Sequence, residues 1–256
     1  MSRAIFLGDV HGCLDELDEL LAVLELRAGD RLFFVGDLVD RGPDSVGVVR
    51  RARELLARFP GSAVVCGNHE EKVLRTRDRG KGPLPDWATD ATDEDWAFLD
   101  GLPLVVPVPE VRAVVVHGGF FPRFFEKEGA VGAIGPGWRK DRCKRADRAR
   151  RFLRVRRVNE MGEMIALGQE RPHDPHWSSL YDGREGHVFF GHDPQLAPPA
   201  PLRAPHASGL DTGCCFGGRL TAAVVVAGQA PGEAQVVSVA ARARYAEPRL
   251  AATEGA

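Results

Sequence analysis

Short apolar runs punctuated by glycine and charge set the rhythm of the first third of the chain. Residues 3–7, 31–35 and 63–66 are each apolar beyond their first one or two positions, and each is of strand length; without alternation, they read as strands buried on both faces. Between the first two, Leu14, Leu17, Leu20, Leu21 and Leu24 recur at helical spacing. Asp44 or Ser45 can cap a second helix that runs to about Arg58 and stops before Pro60-Gly61, and Glu70 opens a third. Strand, loop and helix in this order predict parallel strands joined by crossover helices.

The pattern then changes. Residues 78–95 are polar and rich in Gly, Pro and Asp, and are expected to form a loop excursion. Residues 105–109 and 113–116 return to β character with no helix between them, and the apolar run ending at Gly191 is a further strand. Residues 139–157 read as a basic helix, about 153–180 as an irregular insert, and 219–226 and 234–239 as closing antiparallel strands. The expected architecture is an α/β sandwich with a mixed second sheet. It forms one domain over residues 1–240, with a basic insert at about 123–180 and a poorly ordered tail at 241–256.

Composition narrows the class without naming a chemistry. At 256 residues and 44% hydrophobic content the chain can bury a full core, and no Gly/Ser-rich linker divides it. A formal net charge of -2 offers no global attraction to nucleic acid or to anionic membrane. The apolar run Ala4–Leu7 is too short for a secretory h-region, and Ala222–Ala227 is too short to span a bilayer. A soluble, cytoplasmic protein with no membrane partner is expected. The five cysteines lack C-x-x-C spacing, which favours free thiols. Charge is uneven: from Arg139 to Arg157 nearly every second residue is Lys or Arg. Such a run is usually a solvated helix face, but its place between His117 and His192 would let it attract a polyanion, nucleic acid included.

The candidate chemistry lies where the apolar runs end. Gly8-Asp9-Val10-His11-Gly12, Gly36-Asp37-Leu38-Val39-Asp40-Arg41-Gly42 and Gly67-Asn68-His69-Glu70 each follow a predicted strand, and His117 and His192 follow two more. In α/β sheets ligands bind at the carboxyl ends of strands. Asp9 and His11, two apart, would leave an extended strand end on one side and grasp one ion. Asp37 has two carboxylate oxygens and could bridge a pair of metals. Of the consecutive Asn68 and His69, one can bind metal while the other faces substrate. His117 and His192 would complete a mixed N/O shell, which suits Mn, Fe, Zn or Ni better than Ca. Two ions roughly 3.5–4 Å apart can present a bridging hydroxide for direct in-line attack on phosphorus. His69 is the candidate general acid, held by Asp40, and Arg41 can fork onto phosphate oxygens. The set reads as a metal-dependent phosphoester hydrolase.

These blocks, with His117-Gly118-Gly119, resemble the signatures of the calcineurin-like metallophosphoesterases, and more closely the phosphoprotein phosphatase branch. That branch includes bacterial serine/threonine phosphatases and symmetrical dinucleoside-tetraphosphate hydrolases. The resemblance runs from Gly8 to about Ala223 and implies a four-layer α/β-β/α sandwich of two mixed sheets flanked by helices. It implies Asp9, His11, Asp37, Asn68, His117 and His192 as ligands of two divalent metals, Mn foremost. It further implies His69 with Asp40 as the acid pair, Arg41 as a phosphate binder, and a second phosphate-binding arginine among Arg154, Arg156, Arg157, Arg171 and Arg184. The family's last histidine is usually followed by Thr or Ser, whereas here Asp193 follows His192.

Substrate signals point two ways. Gly67–Glu70 and His117–Gly119 look like protein phosphatases. Leu210–Cys214 through Gly217–Ala222 looks like the tetraphosphatases and the phosphatase domain of RNA-repair enzymes, with Asp211 lining the site or holding a turn. The expected activity is phosphoprotein phosphatase-like. The alternative is hydrolysis of dinucleoside tetraphosphates or RNA-end phosphates, and a third reading is an inactive binding or scaffold relative.

Overall fold

The computed structural model describes residues 2–197 and 199–248. Two five-stranded mixed sheets stack face to face. In the first, β1 (Arg3–Leu7), β2 (Arg31–Phe34) and β3 (Ala63–Val64) run parallel, and β9 (Arg219–Val226) and β10 (Gln235–Ala240) extend the sheet antiparallel on the β1 side. In the second, β5 (Ala113–Val116), β6 (His187–Phe190) and β8 (Ala207–Gly209) are parallel, flanked by antiparallel β4 (Val105–Val108) and β7 (Leu202–Ala204).

The continuous apolar strands are explained by burial on both faces. In β1, Ala4 and Phe6 point between the sheets, where Phe6 stacks on Phe189 at 3.8 Å with Phe33, Val115 and Leu210 in the same layer. Ile5 and Leu7 point outward onto α1 (Leu14–Leu24), where Leu17 and Leu20 are fully buried. Each such large side chain contributes roughly 1.5–3 kcal/mol through water exclusion. Asp44 caps α2 (Ser45–Arg58), its Oδ1 accepting the Gly47 N–H at 2.7 Å. The chain thus forms the expected four-layer sandwich, helix on sheet on sheet on helix.

Three expectations change. Residues 78–95 are not a plain loop: a short 3₁₀ turn covers Asp86–Thr89, and α4 (Asp93–Asp100) begins on a Thr92–Asp95 capping box. α3 spans Asn68–Arg79, two residues earlier than the position of Glu70 suggests. The basic segment is helical only in α6 (Lys144–Ala149) and a following 3₁₀ turn. It is held to α5 (Pro122–Glu128) and the end of β5 by an aromatic cluster in which Phe152 packs on Phe120 and Phe124 at 4.9 and 4.6 Å.

Residues 241–248 lie against the body, with Ala241 N–H donating to Gly218 O and Tyr245 N–H to Cys215 O. Residues 249–256 fall outside the described residues. Among the described residues no helix is long and apolar enough to cross a membrane.

Candidate active site

The carboxyl ends of the parallel strands of both sheets open onto one place. Asp9 and His11 follow β1, Asp37 follows β2, and Asn68 stands just beyond β3 at the first position of α3. From the other sheet His117 follows β5, His192 follows β6 and Asp211 follows β8. The approach is close enough to demand glycine: a Cβ on Gly191 would stand 1.8 Å from Asp9 Oδ1, and one on Gly67 would stand 2.1 Å from Asp37 Oδ1.

Asp37 is the centre. One group of possible ligand atoms joins it to Asp9 and His117, another to His11 and His69, with the atoms of each group within 4.8 Å of one another. Its Oδ2 lies 3.5 Å from His11 Nε2 and 3.3 Å from His117 Nε2. Both rings spend their other nitrogen on backbone: His11 Nδ1 meets Val39 O at 2.9 Å and His117 Nδ1 meets Val35 O at 2.8 Å. A carbonyl can only accept, so Nδ1 carries a proton in both rings, and each ring in its neutral form offers its Nε2 lone pair to a metal. Asn68 Oδ1, a further acceptor, stands 3.0 Å from His117 Nε2. His192 completes the ring of donors, 5.1 Å from His117 between ring centroids.

This gathering of acceptors calls for positive charge. Asp9 Oδ1 and His192 Nε2 are buried with no hydrogen-bond partner among the described residues. Burial, then repulsion from Asp211 and Asp37, holds the Asp9 carboxyl well above its usual range. Burial drives His11 down to about 3 and His192 well below its ordinary value. Burial acts the same way on His117, but the Asp37 carboxylate and the Val35 carbonyl outweigh it and raise the ring. Three buried carboxylates with imidazole and amide donors are the surroundings a pair of divalent transition metals fits.

Beside this cluster His69 Nδ1 meets Asp40 Oδ2 at 2.7 Å, and the other Asp40 oxygen accepts Trp87 Nε1–H at 2.8 Å. Although burial opposes it, these hydrogen bonds hold the Asp40 carboxyl below its ordinary value. Arg41 Nη1 donates to His11 Nε2 at 2.8 Å, and its guanidinium lies 4.9 Å from the centroid of the Phe216 ring.

The calcineurin-like phosphoesterase family matches residues 2–225. The chain belongs to that family. It is accordingly a metal-dependent phosphoesterase, and membership implies divalent metal ions. The asymmetrical bis(5'-nucleosyl)-tetraphosphatase PrpE of Oceanobacillus iheyensis is 28% identical, covering 84% of this chain and 86% of its own. The symmetrical enzyme of Coxiella burnetii is 30% identical, with the same two coverages. A crystal structure of a protein provisionally named a diadenosine tetraphosphatase superposes with a TM-score of 0.69 at 30% identity, covering 93% of each chain. A Saccharomyces cerevisiae serine/threonine phosphatase shares the fold alone, at 14% identity and a TM-score of 0.59 over 93% of this chain and 79% of its own.

Two residues of this phosphoesterase lacked an assigned role in the sequence reading. Glu70, fully buried, accepts four backbone N–H groups: Asp37 and Gly67 on Oε2, Leu38 and Val39 on Oε1. It staples the β2 loop to the start of α3, and burial followed by the Asp37 charge pushes its pKa up to about 7. Its position three residues beyond Gly67 was the available signal, since a Glu there reaches back to the residue preceding the helix. Trp87 was hidden inside a segment read as loop.

Other expectations are redistributed. Asp211 is 4% exposed, its Oδ1 accepts Gly213 N–H at 3.0 Å, and it lies close enough to Arg41 to feel its charge. Asp193 accepts Arg156 Nε–H at 3.1 Å. Much of the charge of the basic segment is already paired. Arg139 is held by Asp78 and Asp100, Arg148 by Glu128, Arg151 by Glu163, and Arg145 and Arg150 by backbone carbonyls. Arg154, bonded to Glu71, and Arg156, bonded also to His192 O, are the insert arginines turned toward the site. Arg157 instead donates to Asp174 O, and Arg184 pairs with Asp182.

Proposed function

We propose that this phosphoesterase hydrolyses dinucleoside tetraphosphates, using two divalent metal ions held by Asp9, His11, Asp37, Asn68, His117 and His192, with Asp37 shared between them. Mn is the first candidate, with Fe, Zn and Ni also compatible with the donors. What carries the substrate reading is likeness along most of the chain: the tetraphosphatases above match at 28–30% identity over most of both lengths, while the yeast serine/threonine phosphatase shares the fold alone. The Leu210–Ala222 segment points the same way. The expectation of a phosphoprotein phosphatase therefore takes second place; it keeps the support of Gly67–Glu70 and His117–Gly119.

When bound, the metal ions supply Lewis acidity toward the phosphate and lower the pKa of water. The side chains do the rest. Asp40, fixed by Trp87, orients His69 so that the nitrogen not bonded to Asp40 faces the site and can give a proton to the departing oxygen. Arg41 reaches the phosphate from one side, with its guanidinium resting on Phe216. Arg154 and Arg156 supply further positive charge from the insert, suited to a substrate that carries several phosphates.

A competition of substrates tests this. The Mn-loaded enzyme should show kcat/KM for diadenosine tetraphosphate at least about tenfold above that for a phosphoserine peptide or an RNA 3'-phosphate, a difference of about 1.4 kcal/mol in transition-state stabilisation. Product analysis gives the cleaved bond: two nucleoside diphosphates from symmetrical cleavage, a triphosphate and a monophosphate from asymmetrical. A preference for the phosphopeptide or the RNA end would overturn the tetraphosphatase reading.

A further inference from the structure

A second cluster of metal-ligating atoms lies behind the active-site loop and takes no part in the phosphoesterase chemistry. Cys13, Glu16 and Cys214 each offer one atom, all within 4.8 Å of one another, and all three residues are buried to 1% exposure or less. Two separate pieces of chain bring them together: the residue preceding α1 with the first turn of α1, and the loop after β8.

Glu16 is the informative member. Its Oε1 accepts two hydrogen bonds, from Arg242 N–H and Tyr245 O–H, each at 2.8 Å. Both donors come from the 241–248 segment laid across α1. Its Oε2 is buried and has no hydrogen-bond partner among the described residues. An orphaned carboxylate oxygen in the interior is costly unless something satisfies it. The fixed oxygen and its two donors are the kind of outer support that orients a metal-binding carboxylate. Around the cluster Cys13 Sγ contacts one other acceptor, His11 O, at 3.7 Å.

We propose that Cys13, Cys214 and Glu16 form a distinct binding site for a thiophilic d10 cation, Zn²⁺ foremost. Two sulfurs and one carboxylate oxygen are a soft set, unlike the nitrogen and oxygen donors around Asp37, so the two centres select different metals. Tetrahedral zinc bonds of about 2.0–2.3 Å put neighbouring donors roughly 3.3–3.8 Å apart, so the cluster needs only small side-chain shifts to close on an ion. Binding releases the two thiol protons to solvent and ties α1, the β8 loop and the 241–248 segment to one point. The site would therefore brace the loop that carries His11.

Cobalt and cadmium read the two centres separately, whatever the enzyme's substrate. The test uses the full chain carrying Cys143→Ser, which removes the exposed thiol. Titrated with Co²⁺, it should develop a near-ultraviolet sulfur-to-metal charge-transfer band that donors of nitrogen and oxygen cannot give. Zn²⁺ should displace that band, while excess Mn²⁺ should not. The further change Cys13→Ala with Cys214→Ala should abolish it. Should that variant fail to fold, ¹¹³Cd NMR of the Cys143→Ser protein decides, with a resonance shifted by sulfur coordination as the expected result. Absence of the band and of that resonance overturns the proposal, as does a band that survives the double alanine change. Failure of the tetraphosphatase reading would leave this result untouched.

Discussion

Backbone strain is concentrated at the residues that carry the chemistry. Of seven non-glycine residues with positive φ among the described residues, five belong to the site: His11 (47°), Asp37 (51°), Asp40 (69°), Arg41 (73°) and His192 (72°). Each such conformation costs on the order of 1–3 kcal/mol and persists only where its surroundings over-determine it. Glu70 supplies much of that constraint around Asp37 through its four backbone hydrogen bonds. The identities of the site residues were legible because Asp, His and Asn clustered after apolar runs. Their geometry was not. Asp9 and His11 converge through a left-handed turn at His11, beyond the end of β1 at Leu7, and not through alternation along an extended strand. The proposed acid can be tested at this scale. His69→Asn should lower kcat by about 10²–10⁴ on alkyl phosphate esters, whose alkoxide leaving groups need a proton. It should lower kcat far less on diadenosine tetraphosphate, whose leaving phosphate is already stable as an anion. Equal losses on both would show that His69 is not the proton donor.

Elements that looked peripheral turn out to aim the site. The 78–95 stretch, polar and rich in Gly and Pro, was read as a loop because its composition outweighed the Thr92-x-x-Asp95 capping signal. It folds into the Asp86–Thr89 turn and α4, and Trp87 stacks on Trp96 at 5.6 Å between ring centroids while donating to Asp40. Trp87→Phe keeps a ring for stacking and removes the donor. A net hydrogen-bond loss of about 1 kcal/mol should appear as a roughly fivefold fall in kcat with KM nearly unchanged. A larger rise in KM than fall in kcat would instead place Trp87 against the substrate. The basic segment teaches the opposite lesson. Its charge was legible, but whether a cation meets solvent or a carboxylate depends on tertiary neighbours such as Asp78, Asp100, Glu128 and Glu163, which lie outside the run.

Across the whole molecule the sandwich followed from strands apolar on both faces, which need a layer on each side. The short β7–β8 pair was not legible, since three-residue strands carry too little pattern to detect. That pair also creates a buried titratable group at the end of the sheet remote from the metals. His187 begins β6, and its Nε2 meets Ser208 Oγ of β8 at 2.9 Å. Burial, then the positive charges of His206 and Arg203, lowers His187 from 6.5 to about 4. The unfolded chain therefore binds the proton first as pH falls, so stability is retained above pH 6.5 and lost between about 6.5 and 4. The loss should approach roughly 2–3 kcal/mol. Urea unfolding of the wild type and His187→Gln should show this as a difference in pH slope confined to that window. Parallel slopes would mean that the folded protein accommodates a charged His187.

The claim on which the functional account rests is that side chains from both sheets close around two metal ions. Anomalous diffraction from crystals equilibrated with Mn²⁺ measures this directly. The account predicts two peaks flanking the Asp37 carboxylate, one within bonding distance of Asp9 and His11 and the other of Asn68, His117 and His192. A single peak elsewhere, or none among these residues at saturating Mn²⁺, would contradict it.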